Sequence, residues 1–200
     1  MREVLNDISQ TIDDGRDADS CSLTRRTVIG GLMTTGILVS TGRAWAADAS
    51  TPQPGDFLIK DKDSSLTPLT PDDIDPASEK TLVVRPVDPA TNKARTGNKN
   101  KLIAVRLTPE ELKGDAQTRA AEGVMVFSAV CTHQGCTVNR FRPDTGLLFC
   151  PCHGSQFDAA RNGAVKQGPA TVRLASLAVK VEDGKLVVAE SFDGDVGAKG

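Results

Sequence analysis

Hydrophobic and polar positions divide the chain into distinct regimes. Residues 1–26 are polar and acidic, with Asp13, Asp14, Asp17 and Asp19 close together, and hold too few apolar positions to fold alone. An apolar, glycine-rich run occupies 27–42. A stretch rich in proline and small residues, 47–56, reads as a linker. Beyond it, short apolar runs bounded by turn residues predict strands over 57–60, 81–87, 101–107 and 124–130. A further strand end falls at 146–149. A closing hairpin is predicted from 173–181 and 185–189, joined through Glu182, Asp183 and Gly184. Residues 61–79 and 91–100 read as surface loops, and the tail after Ser191 is polar. Only one helix is predicted. Thr108-Pro109-Glu110-Glu111 offers a capping threonine, a first-turn proline and a glutamate three residues after the cap, so a short helix is expected within 109–121.

With 200 residues and 38% apolar content, the chain can bury one domain core but hardly two. Its net charge of −2, the absence of tyrosine and the single tryptophan leave no basic stripe interleaved with aromatics, which sets nucleic-acid binding aside. The basic loop at 91–101 reads first as a solvated hairpin tip and second as a partner patch. Charge and hydropathy change the picture at the N-terminus. Arg25 and Arg26 directly precede the apolar run, and Ala44-Trp45-Ala46-Ala47 offers a small-residue cleavage point after Ala46. Residues 1–46 therefore read as a twin-arginine export signal, which implies a periplasmic protein. As a helix the run 27–42 would span about 24 Å against a hydrocarbon core of about 30 Å, short for an anchor, so cleavage is favoured over retention in the inner membrane.

The candidate chemistry is concentrated in two boxes, C-T-H-Q-G-C at 131–136 and C-P-C-H-G-S-Q-F at 150–157. They contain four of the five cysteines and both histidines of the chain. Cys21 lies before the signal core and belongs to neither. Each box offers one Cys–His pair, Cys131 with His133 and Cys150 with His153, and each leaves one cysteine over, Cys136 and Cys152. Two such pairs on two loops make a two-cysteine, two-histidine metal centre. Closed tetrahedral zinc would also satisfy the pairs, but it accounts for neither the extra cysteines nor Gly135 and the Gly154–Ser155 positions.

Both boxes resemble those of the Rieske iron–sulfur proteins over their whole length, and the specific resemblance covers about 124–171. It implies an all-β chain: a Rieske-type antiparallel β sandwich over 57–191 with a small cluster-binding subdomain, followed by a flexible tail at 192–200. It implies one [2Fe–2S] cluster per chain, with one iron on Cys131 and Cys150 and the other on His133 and His153. The histidine rings should face solvent and the redox partner and couple proton to electron uptake. Cys136 and Cys152 resemble the pair that forms a disulfide between the cluster loops; such a bond closes a loop worth about 3 kcal/mol and belongs to an oxidising compartment. Ser155 stands where the family places a hydroxyl donor to a bridging sulfide. Phe157 stands where high-potential members carry a tyrosine bonded to a cysteine sulfur, so one donor is missing and a lowered potential is expected. Gly168-Pro169-Ala170 resembles the loop that covers the cluster, with Thr171 in place of its final proline.

The family serves several systems. The resemblance implies first the iron–sulfur subunit of a bc-type quinol–cytochrome c reductase, with quinol as donor and a c-type cytochrome or similar acceptor. The second reading is a periplasmic small subunit of a soluble oxidoreductase such as arsenite oxidase, where a partner subunit is the donor. The third is a ferredoxin feeding an oxygenase. An oxygenase itself needs two further histidines and a carboxylate on a mononuclear iron, and the chain has no histidine to spare. The resemblance therefore implies an electron-transfer subunit of an oxidoreductase complex, not catalytic alone.

Overall fold

The computed structural model describes residues 50–198, so the predicted export signal at 1–46 lies outside the described residues. Eleven strands and one short helix follow one another: β1 (Phe57–Lys60), β2 (Leu82–Asp88), β3 (Lys93–Ala94), β4 (Leu102–Arg106), α1 (Ala116–Arg119), β5 (Val124–Ser128), β6 (Arg140–Arg142), β7 (Leu147–Phe149), β8 (Gln156–Asp158), β9 (Ala164–Gln167), β10 (Ser176–Glu182) and β11 (Lys185–Asp193). All pairings are antiparallel, as the resemblance implied. The larger sheet runs β1-β11-β10-β5-β4-β2-β3, and β1 pairs with β2 as well as β11, so six of its strands close into a barrel. Closure leaves those strands without a free edge. The smaller sheet runs β6-β7-β8-β9.

The two sheets share a wall made by β4 and β5, and the period of two explains how. Leu102, Ala104, Val124 and Val126 face the barrel interior with Leu58, Val84, Leu177 and Leu186. Their neighbours Ile103, Val105, Met125 and Phe127 face the other way, onto Phe141, Leu148 and Phe157 of the small sheet. Successive side chains of a strand point to opposite faces, so a strand buried on both sides reads as an unbroken apolar run. Full burial of each large side chain contributes about 1.5–3 kcal/mol.

Three expected features take another form. The box Thr108–Glu111 closes only one turn: the Glu111 carboxylate accepts the Thr108 N–H at 2.7 Å, but the chain turns left-handed at Gly114 before α1 begins. Residues 50–56 are docked rather than slack. Arg95 Nε and Nη2 reach the buried Asp56 carboxylate at 2.5 and 2.8 Å, and Gly55 N–H and Asp56 C=O pair with Val188. Strand β11 continues past the boundary at 191 to Asp193, whose carboxylate accepts from Asn162 and pairs with Arg173. Among the described residues, no helix is long and apolar enough to cross a membrane.

Candidate metal centre

The first box leaves the end of β5 and returns through the Val130–Thr137 bridge; the second joins β7 to β8. Both loops are built on one hydrogen-bond plan. Cys131 C=O accepts from Gly135 N–H at 2.9 Å and Cys131 N–H donates to Cys136 C=O at 2.8 Å. Cys150 C=O accepts from Gly154 N–H at 3.1 Å and Cys150 N–H donates to Ser155 C=O at 2.9 Å. The turn requires a left-handed residue at the same place in each loop, supplied by Gly135 (φ 76°) and Gly154 (φ 78°). The two boxes are thus structural copies, although the histidine stands two residues after the cysteine in one and three in the other.

This plan places the donors in two layers. Cys131 and Cys150 are free thiols at the buried strand ends, each 1% exposed. Burial pushes the Cys150 thiol up from its ordinary range, and the adjoining Cys131 side chain pushes the same way, against N–H groups of Cys152 and His153 that favour the thiolate. His133 and the exposed His153 meet edge to face with ring centroids 4.7 Å apart, and their Nδ1 atoms converge to 3.2 Å. The remaining cysteines, Cys136 and Cys152, form a disulfide that joins the loops, with Cα atoms 6.5 Å apart. Their sulfurs lie within 4.8 Å of Cys150 Sγ. Bonded to each other, they are not thiolate donors, so the soft ligands available are Cys131 and Cys150.

A third segment, 168–172, is fastened to both loops. Ser155, fully buried, accepts the Ala170 N–H at Oγ (3.2 Å), and Thr132 donates its hydroxyl to Val172 C=O at 2.6 Å. Gly168 lies flat on the second loop: a Cβ there would stand 2.6 Å from Ser155 Cα and 2.8 Å from Gly154 O. Pro169 itself is exposed. Phe157 is wholly buried in the core beneath the loops. Sequence reasoning missed Thr132 and the close approach at Gly168. The only signals were a hydroxyl residue between two donors and a glycine ahead of Pro169.

The donor set of two buried thiols and two imidazoles on facing loops fits a mixed-ligand iron–sulfur cluster, in which cysteine holds one iron and histidine the other. The fold and site define a small all-β iron–sulfur protein of this kind.

Residues 105–178 match the family model for the Rieske [2Fe-2S] domain. A cytochrome bc1 complex Rieske iron-sulfur subunit of Streptomyces lividans is 36% identical over 101 residues, covering 50% of this chain and 59% of that protein. A cytochrome b6-f complex iron-sulfur subunit of Prochlorococcus marinus (strain MIT 9211) is 40% identical over 89 residues, covering 42% and 48%. The chain therefore spans about half the length of these relatives. Among solved structures, the plasma-membrane Rieske protein of Synechocystis PCC 6803 overlaps 53% of this chain and 84% of its own, at 26% identity and a TM-score of 0.35. Residues 105–178 thus carry a Rieske [2Fe-2S] domain, and the cofactor that such a domain implies is the Rieske [2Fe–2S] cluster.

Proposed function

We propose that the chain is a one-electron carrier, the iron–sulfur subunit of a bc-type quinol–cytochrome c reductase, taking electrons from quinol and passing them to a c-type cytochrome or similar acceptor. Cys131 and Cys150 hold one iron and His133 and His153 the other. When bound, the cluster supplies a one-electron acceptor in the range of roughly −150 to +300 mV. The chain's own groups hold and tune that site. Ser155 accepts the Ala170 N–H and so keeps its own proton free to donate. The N–H groups of Cys152 and His153 point at the Cys150 sulfur and favour negative charge there. The disulfide and the segment 168–172 hold the two loops in register, while His133 and His153 stand outermost.

The observation that carries this reading is the convergence of the two Nδ1 atoms, brought together from the same two loops that bury Cys131 and Cys150. Loading the purified chain with iron and sulfide under anaerobic conditions tests it. The expected product holds two irons and two sulfides per chain and gives a reduced-state EPR signal that is lost when both histidines are replaced by alanine. One tightly bound zinc without iron, or a signal that survives the double replacement, refutes the ligand set.

Phe157 supports a second reading, the small subunit of a soluble periplasmic oxidoreductase of the arsenite oxidase type, because a wholly buried phenylalanine offers no hydroxyl to a cysteine sulfur. Salt extraction of membranes separates the two. Release of a chain beginning at Ala47 favours the soluble enzyme; retention until detergent is added favours the reductase. Either way the inter-loop disulfide supports export to an oxidising compartment by the twin-arginine route, and it counts against the cytosolic ferredoxin reading.

A further inference from the structure

We propose that the outer face of the small sheet, beside the metal loops, is a docking surface for a protein partner that presents carboxylates. The face is read from the register. Lys80 is bridged to Arg140, Arg140 stands opposite Phe149, Phe149 opposite Gln156 and Gln156 opposite Gln167. Opposed residues share a face, so these five form one row across the sheet. Its inner counterparts Phe141, Leu148 and Phe157 are buried, whereas Arg140 and Arg142 are exposed and Phe149 half-buried. The row borders the metal site directly, since Phe149 precedes Cys150 and Gln156 follows Ser155.

Charge sets this face apart. Six of the eight arginines among the described residues pair with a carboxylate: Arg85, Arg95, Arg106, Arg119, Arg161 and Arg173. The side chains of Arg140 and Arg142 make no hydrogen bond or ion pair among the described residues. The guanidinium of Arg142 lies over the Phe149 ring instead, 5.3 Å from its centroid. Like charges directly opposite each other weaken a sheet, yet Lys80 and Arg140 are opposed with no acid between them in the row. A partner carboxylate seated between these cations relieves that repulsion, and arginine forks suit bidentate carboxylates. Phe149, held by Arg142, supplies the aromatic contact that recurs in protein interfaces beside arginine. A concavity of about 410 Å³ lies over the same residues and also includes Glu79 and Asp144. Neither acid pairs with Arg140 or Arg142; Lys80 and Arg140 are the cations of the row beside the metal loops, and Arg142 stands opposite Leu147 one row further, towards Asp144 in the β6–β7 turn. The chain as a whole is slightly acidic, at −2, so net charge does not account for it.

The test is binding of an octaglutamate peptide to the full-length, cluster-loaded chain by calorimetry at low salt, with three variants. Arg140→Glu/Arg142→Glu should weaken binding by about tenfold or more, and added salt should abolish what remains. Lys93→Glu/Lys99→Glu makes the same change of net charge on the 91–101 hairpin and should leave binding within about twofold. Phe149→Ala should fall between them. Should charge reversal disturb the sheet, as judged by circular dichroism, Arg140→Gln/Arg142→Gln takes its place with the same direction of effect. Equal losses in the two charge-reversal variants, or no binding by the unaltered chain, overturn the proposal. So does tighter capture of phosphatidylglycerol vesicles through the same arginines, which would assign the face to a lipid surface. Because the readout is binding, the proposal can fail while the redox assignment stands.

Discussion

Gly168 is the position where a single methyl group should have the largest effect on the metal loops. A Cβ there would stand 2.6 Å from Ser155 Cα, 2.8 Å from Gly154 O and 2.9 Å from Ser155 N, all backbone atoms that no rotamer change can move. Restoring ordinary contact requires a separation of roughly 0.8 Å between 168–172 and the second loop. The backbone at Gly168 has φ 96°, which adds about 1–2 kcal/mol for any residue with a side chain. Overpacking against a tight neighbour adds about 1–3 kcal/mol. Gly168→Ala should therefore cost about 3 kcal/mol and lower the melting temperature by about 6–12 °C. The displacement should also pull Ala170 N–H off Ser155 Oγ, a contact already at 3.2 Å, and so change the reduced-state EPR spectrum. Gly154→Ala is the control: its φ is 78°, but nothing lies within 4 Å of the added methyl, so only the conformational cost of about 1 kcal/mol applies. Thermal unfolding followed by circular dichroism, with EPR on the same samples, measures both. Equal stability of the two variants would show that the close approach is not what holds the segment down.

Other perturbations probe the frame around the site. Asp56→Ala takes the carboxylate from the half-buried Arg95 guanidinium and should cost about 3 kcal/mol in urea denaturation; Asp56→Leu with Arg95→Met should recover most of it. Thr132→Val removes the hydroxyl bonded to Val172 C=O and should cost about 1–2 kcal/mol, with faster loss of iron to a chelator. In acid, Asp73 is held below its ordinary value of 3.8 mainly by the Thr70 N–H, and Asp193 is lowered by Asn162 and Arg173 despite partial burial. A carboxylate depressed in the folded state contributes stability above its unfolded value, and this is lost as pH falls through the folded one. Stability should thus decline below about pH 4, and Asp193→Asn should flatten that decline. An unchanged slope in the variant would remove Asp193 from the acid response.

Legibility along the chain followed the length and burial of each run. The strands of the barrel wall were readable because 102–106 and 124–128 are apolar on both faces, and their expected limits differ from the observed ones by one or two residues. Strands β6, β8 and β9 were not. Each has three or four residues, and in β6 and β8 a single buried phenylalanine, Phe141 or Phe157, sits between polar neighbours, which is too short a sample to establish a period of two. The capping box at Thr108 is a real local signal that closed one turn, because propagation needs more residues of helical backbone than Gly114 allows. Asp56 looked like a linker residue because its partner, Arg95, is 39 positions away.

Residue spacing alone determined which side chains could be donors and on which loop each would lie, because a few covalent bonds confine Cys131 to His133 and Cys150 to His153. It also carried the left-handed turns, since Gly135 and Gly154 stand at equal distances from their cysteines. Only the tertiary structure decided which sulfurs meet. Cys136 and Cys152 are joined while Cys131 and Cys150 stay as buried thiols, because the packing of the small sheet on the barrel wall sets the depth of each strand end. That packing also left Arg140 and Arg142 unpaired beside the site, a property of strand register that no local pattern encodes.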